Sequence, residues 1–160
     1  MTPIEIREYH SDDADAVVRL GLRAWAPVFA SFRTVLGDDL YCRVHPDWER
    51  DQTNAICDAL SRNATWVGVS DNDVVGFVNV AFDEAERSGE IYMIAVDPAA
   101  QRRGVASLLT ERALDEMRAR GLDLAIVATG GDPGHAAARA TYEKAGFTGC
   151  PQVWYARQLS

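Results

Sequence analysis

The chain is short of most features that would set it apart from ordinary globular proteins. No apolar run approaches the roughly 20 residues needed to cross a bilayer, so no membrane partner is expected. The opening residues MTPIEIREYH hold no apolar core of a secretory signal. Cysteine is scarce: Cys42, Cys57 and Cys150 are odd in number and far apart. That pattern offers neither metal-ligand spacing nor a disulfide framework, and a reducing cytoplasm is the expected location. Positive charge is in deficit. A formal net charge of -8 argues against a nucleic-acid partner, which needs a basic face to displace counterions; it is compatible with a cationic substrate. Repeats, low-complexity tracts and linkers are missing as well.

What remains is 160 residues with 48 % apolar and 25 % charged side chains, enough for one domain, 1–160, with a sizeable core. Ile4 to Tyr9 alternates apolar and polar and predicts a first strand. Ser11 and Asp12 can cap a helix through Leu20. From Ala24 to Trp48 the pattern loosens, with Trp25, Phe29, Phe32, Tyr41 and Trp48 interrupted by Pro27, Gly37 and Pro46. A second helix is expected over Asp51 to Leu60. Thr65 to Ser70 and Val74 to Phe82 form a hairpin around Asp71-Asn72-Asp73, and Glu90 to Val96 is a further strand stopped by Pro98. Val105, Leu109, Ala113 and Met117, with Leu108 beside them, make the apolar stripe of a helix over Gly104 to Arg120. Leu122 to Thr129 reads as a buried strand. Asp132 and Pro133 open a helix that Gly146 ends, and two short strands follow, near Phe147 and over Val153 to Arg157. The expected fold is α/β: a mixed, mostly antiparallel sheet of about seven strands flanked by about four helices.

Two stretches carry chemistry. Gln101-Arg102-Arg103-Gly104-Val105-Ala106 lies between a strand and a helix. The first N–H groups of a helix have no internal partner and the helix dipole adds positive charge, so this junction suits an anion. Gly104 allows close approach to the backbone, and the two arginines offer charge. Neither a P-loop nor a GxGxxG fingerprint is present. The second stretch, His135 to Phe147, contains Tyr142-Glu143-Lys144-Ala145-Gly146-Phe147, about forty residues further on.

Together the two stretches resemble the GCN5-related N-acetyltransferase (GNAT) superfamily. Its pyrophosphate loop reads [QR]-x-x-G-x-[GA], and a later helix ends in YEKxGF; the resemblance is clearest from Val74 to Phe147. It implies a single GNAT-like domain that transfers acetyl from acetyl-CoA, without a metal, to an amine. The backbone from Gln101 and Arg102 through Arg103, Gly104, Val105 and Ala106 to Ser107 would cradle the pyrophosphate. The strand edge at Ile94, Ala95 and Val96 would pair with the pantetheine arm, and an N–H near Ile94 or Ala95 would meet the thioester oxyanion. An alkylamine is protonated at neutral pH and must lose a proton to attack. Glu90 reads either as that base or as a solvated strand-end carboxylate; Glu84 and Glu86 are weaker candidates. Tyr142 is the resemblance's general acid for the thiolate, with a packed core tyrosine as the alternative.

The chain departs from the family at His135, where asparagine often stands. This histidine reads as a donor to CoA, a base or a surface residue, on one helix face with Tyr142. Thr129 to Gly134 is glycine-rich and either lines the acceptor site or merely connects. Trp25, Phe29 and Phe32 are the acceptor-site candidates, with Asp38 and Asp39 as attractors of positive charge. A small amine acceptor is expected. A protein N-terminus or lysine, and a regulatory module that binds acyl-CoA without turnover, stay open, as does a homodimer.

Overall fold

The alternating segments of the first half pair with one another and leave the helices to cover the two faces. A computed structural model describes residues 2–160. The strands are β1 (Glu5–Glu8), β2 (Ala64–Ser70), β3 (Asp73–Asp83), β4 (Ser88–Val96) and β5 (Leu124–Val127). The helices are α1 (Ala14–Leu36), α2 (Asp38–Val44), α3 (Trp48–Arg62), α4 (Val105–Ala119) and α5 (Ala136–Lys144). The sheet runs β1-β2-β3-β4-β5; the first three pairings are antiparallel and β4–β5 is parallel. Helix α4 supplies the crossover that a parallel pair requires.

Each face of the sheet has its own core. Val78, Val80, Ile91 and Val96 meet Val105, Leu109, Ala113 and Met117 of α4. On the other face Val67, Phe77 and Ala95 meet Val17 and Leu20 of α1 and Ile56 of α3. The apolar stripe of α4 is buried as its spacing predicts, except that Leu108 is exposed. Helix α4 can lie close to the sheet because glycine stands beneath it: a Cβ at Gly89 would come within 2.6 Å of Met117. Asn79 is wholly buried on the α1 side, where it donates to Ala59 O and Thr65 Oγ1 and accepts from Asn63. Its bonds fix the end of α3 to the sheet, and a buried amide left without them would be costly. Arg7 makes two hydrogen bonds to Asp13, at 2.8 and 2.9 Å, and so ties β1 to the start of α1.

Several expectations need correction. The sheet has five strands among the described residues rather than about seven. The segments near Phe147 and over Val153 to Arg157 are not strands, although the second alternates well enough. A strand exists through its pairing, and this tail pairs with nothing: Val153, Trp154 and Tyr155 are all more than half exposed. Edge strand β5 is only four residues long, and Leu124 and Ile126 are exposed rather than buried. Four helices have nine residues or more, and the seven-residue α2 is an addition. Helix α1 also runs straight through Pro27 to Leu36. Pro27 and Arg23 are both exposed, so the one helical bond that proline removes lies on the outer face of α1.

Candidate active site

The site grows out of an irregularity in β4. Asn79 faces Met93, but Val80 faces Ile91, so Tyr92 is an extra residue, a β-bulge. The bulge shifts the alternation of side chains by one. Ile91, Ile94 and Val96 therefore face α4, while Met93 and Ala95 face α1 and α3. Glu90, next to Ile91 and paired with Ala81 and Ile126, points to the α1 side by the same alternation. Pairing with β5 ends at Ile91–Val127. From Tyr92 to Val96 the edge of β4 on that side has no strand partner, and its peptide groups are available to an extended molecule that carries amides.

The chain then leaves β4 through the QRRGVA loop. Asp97 holds the exit, accepting from Ala99 N at 3.0 Å and pairing with Arg23 of α1. Burial works against its charge, but these bonds prevail and keep its carboxyl below the usual range. Arg102 and Gly104 both adopt left-handed backbone, with φ of 63° and 78°. For the arginine this is a strained conformation of the sort found at binding loops. No N–H from Arg102 to Ser107 has an acceptor among the described residues; the first helical bond of α4 is Leu108 N to Gly104 O. A Cβ at Gly104 would meet no atom within 4 Å, so the loop is open there. A row of unpaired N–H groups at a helix start fits a pyrophosphate.

The two arginines part company. Arg102 is exposed. Arg103 turns inward and donates to Thr2 O at 2.9 Å and Ser70 Oγ at 3.0 Å; its buried Nε has no partner among the described residues. Its side chain braces the loop, and its peptide N–H remains part of the row.

Tyr142 is buried on α5, its ring 6.0 Å from that of Phe147. Phe147 packs against the core on the α4 side. Burial pushes the phenol up to about 12, because the apolar surroundings disfavour the phenolate. Tyr142 is thus a neutral O–H donor throughout the physiological range, and the hydroxyl makes no hydrogen bond within the described residues.

His135 lies elsewhere than its spacing predicts. It belongs to a 3-10 turn, Pro133–His135, ahead of α5, so it does not share a helical face with Tyr142. The turn packs against α1, and the His135 ring lies 5.7 Å from Phe32. Its Nδ1 is 2.5 Å from Asp132 Oδ1. Asp132 Oδ2 accepts from Ser31 Oγ at 2.7 Å and from Gly134 N at 3.0 Å. Burial raises the Asp132 carboxyl, but the bonds from His135 and Ser31 outweigh it and the group stays below the ordinary carboxylate range. Arg139 clamps the same loop through Gly130 O and Asp132 O. Gly130 is structural: a Cβ there would lie 2.4 Å from both His135 Nδ1 and Asp132 Oδ1. The loop is built around this hydrogen bond.

Of the aromatic candidates, Phe29 stacks on Trp48 and meets the edge of His45, and Phe32 stacks on His45. Burial lowers the His45 pKa. Trp25 instead packs on Phe77 in the core. Asp38 is paired with Arg33 and exposed, and Glu84 and Glu86 are exposed. Among the described residues there is no cluster of potential metal ligands and no helix long and apolar enough to cross a membrane. Sequence reasoning missed Ser31 and Arg139 and took Asp132 only for a helix cap. The Asp132-Pro-Gly-His135 spacing held a local signal for that pair; the bond to Ser31, 101 residues away, left none.

Comparison with known proteins places the fold and the family. The chain is 33 % identical over 145 residues to a mycothiol acetyltransferase of Amycolatopsis mediterranei, covering 85 % of this chain and 43 % of that protein. A mycothiol acetyltransferase of Beutenbergia cavernae is 52 % identical over 61 residues, 38 % of this chain and 20 % of its own length. The chain thus spans less than half the length of these curated relatives. Among solved structures, a ribosomal-protein alanine N-acetyltransferase from Escherichia coli superposes with a TM-score of 0.67 at 19 % identity, over 93 % of this chain and 80 % of that one. An aminoglycoside N-acetyltransferase in complex with CoA gives 0.67 at 16 % identity, over 99 % and 96 %. The model of the acetyltransferase (GNAT) family matches residues 29–147, from the middle of α1 to the end of the YEKAGF motif, and the chain belongs to that family.

Proposed function

We propose that the chain transfers an acetyl group from acetyl-CoA to a primary amine, by direct attack of the amine on the thioester. The observation that carries this reading is the row of unpaired N–H groups from Arg102 to Ser107 next to the free edge of β4. The row suits the pyrophosphate and the edge suits the amide-bearing pantetheine arm. Acetyl-CoA supplies the activated acetyl group; the chain's own residues orient it and manage protons. An N–H near Ile94 or Ala95 steadies the oxyanion. Glu90, on the α1 side of β4, serves as general base for the nitrogen. Tyr142, on the α4 side, gives its phenolic hydrogen to the departing sulfur. Proton acceptor and proton donor stand on opposite sides of the strand that holds the thioester. The acceptor is a small amine, with the half-buried cluster of Phe29, Phe32 and His45 on α1 and after α2 offering apolar rings for its stem.

The test is thiol release from acetyl-CoA against a panel of polyamines, aminosugars, arylalkylamines and short peptides, with CoA binding followed by calorimetry. Binding together with release on a small amine is the expected result. Release on peptides alone would move the acceptor to protein, and binding without release on any amine would leave a non-catalytic acyl-CoA module.

A further inference from the structure

Acetylation of an ammonium removes two protons from one nitrogen. The first must leave before attack, because a protonated amine has no lone pair. The second leaves after the C–N bond forms. One base on β4 does not obviously serve both, and the structure holds a second candidate that the reading above leaves idle.

That candidate is His135. The Asp132 carboxylate, 2.5 Å from Nδ1, accepts a hydrogen bond, so the hydrogen of the neutral ring resides on Nδ1 and Nε2 carries the lone pair. A donor role toward CoA would require the ring to carry both protons. Nε2 makes no hydrogen bond among the described residues. The carboxylate is itself fixed by Ser31 and Gly134 N, and its oxygens are thereby aimed rather than free to rotate. The base is oriented by a third group, as in proton-transfer sites generally. The charged and titratable groups around it are few. Asp132 stabilises the imidazolium that proton uptake would create. Arg139 is occupied by Gly130 O and Asp132 O. His45 lies on the far side of Phe32 and is kept neutral by burial at physiological pH. The loop that carries His135 starts at the end of β5, where β4 and β5 part, and packs on α1, the side that Glu90 also faces.

We propose that His135, held by Asp132 and Ser31, takes the first proton, from the arriving ammonium of the acceptor. The proposal rests on the acetyltransferase reading. The balance is as follows. The ammonium gives H⁺ to Nε2 and becomes a free amine. The amine nitrogen bonds to the thioester carbon. Glu90, through water, takes the second N–H proton as the C–S bond breaks, and the sulfur receives a proton from Tyr142. Glu90 and His135 release their protons to solvent, Tyr142 recovers one from solvent, and the products are the amide, free CoA and one H⁺.

The test uses the full chain with phenethylamine, spermidine and glucosamine as acceptors, and compares wild type, His135→Gln, Asp132→Asn and Glu90→Gln between neutral pH and about pH 10. An alkylamine is about half neutral at the upper end of that range and no longer needs the first base. His135→Gln is expected to lower kcat/KM for the amine about 100-fold at neutral pH, the size of a general-base effect. The deficit narrows to about threefold near pH 10, with KM for acetyl-CoA unchanged. Asp132→Asn follows the same course, whereas the Glu90→Gln deficit does not narrow. A His135→Gln loss that is equal at every pH would assign His135 to scaffolding, and no loss would exclude it; either overturns the proposal while leaving the acetyltransferase reading intact. If wild type binds CoA but acetylates none of the three amines, the proposed function fails and this proposal with it.

Discussion

Tyr142→Phe probes the proposed proton donor with the smallest structural disturbance available. The hydroxyl makes no hydrogen bond within the described residues, so its removal should change folding stability by less than about 1 kcal/mol. The consequence for turnover follows from burial. The phenol is held up to about 12, against about 8.5 for an ordinary thiol. Handing a proton from that phenol to a fully formed thiolate in water is therefore uphill by about 5 kcal/mol. The hydroxyl then helps mainly by hydrogen bonding to sulfur while its charge develops, with transfer completed late. A hydrogen bond to a charged partner contributes about 1.5–3 kcal/mol, or about 10- to 150-fold in rate. Continuous thiol release at saturating substrates should show a loss of that size, with calorimetric CoA affinity unchanged. The pH–rate profile of wild type should lack an alkaline limb from this group below about pH 11, because burial favours the uncharged phenol. Unchanged turnover would remove Tyr142 from the chemistry. A wild-type limb near pH 10 that vanishes in the variant would refute the effect assigned to burial.

Two further outcomes follow from the geometry. Gly104→Glu places a side chain at φ 78°, with its charge facing the N–H row, and should reduce CoA affinity at least about 100-fold by calorimetry; full affinity would show that the loop is not the cradle. Asp13 is held below its ordinary range, chiefly by the hydrogen bond from Arg7, against the opposing effect of burial. A lowered folded-state pKa gives stability that is present above the unfolded value of about 3.9 and lost as pH falls toward the folded one. The melting-temperature difference between wild type and Asp13→Asn should therefore be constant near neutral pH and shrink below about pH 4; a difference independent of pH would locate the effect elsewhere.

The parts of the fold set by local pattern could be read from the residues. The β2–β3 hairpin, the stripe of α4 and the glycine at its start all follow from spacing and turn chemistry. The open row of N–H groups could be anticipated because it depends on backbone at one strand-to-helix junction. What could not be read depends on partners distant in sequence. Pro27 looks like a break until it proves to stand on the exposed face of a continuous helix. The alternation of Val153 to Arg157 looks like a strand until no edge receives it. Leu124 and Ile126 look like core until β5 proves to be the rim of the sheet. His135 and Tyr142 fit one helical face only if the helix begins before His135. It begins after it, since the Asp132-centred turn draws His135 toward Ser31 and Phe32.

The extra residue at Tyr92 has a bearing on how such a protein can change. Up to Ile91 and again from Met93 onward, neighbouring positions of β4 serve different compartments, and the shift of phase lies between them. Met93 and Ala95 answer to the helices on one face, α1 and α3, while Ile91, Ile94 and Val96 answer to α4 on the other. One strand thus holds two sets of letters, and a substitution in one set leaves the packing written by the other in place.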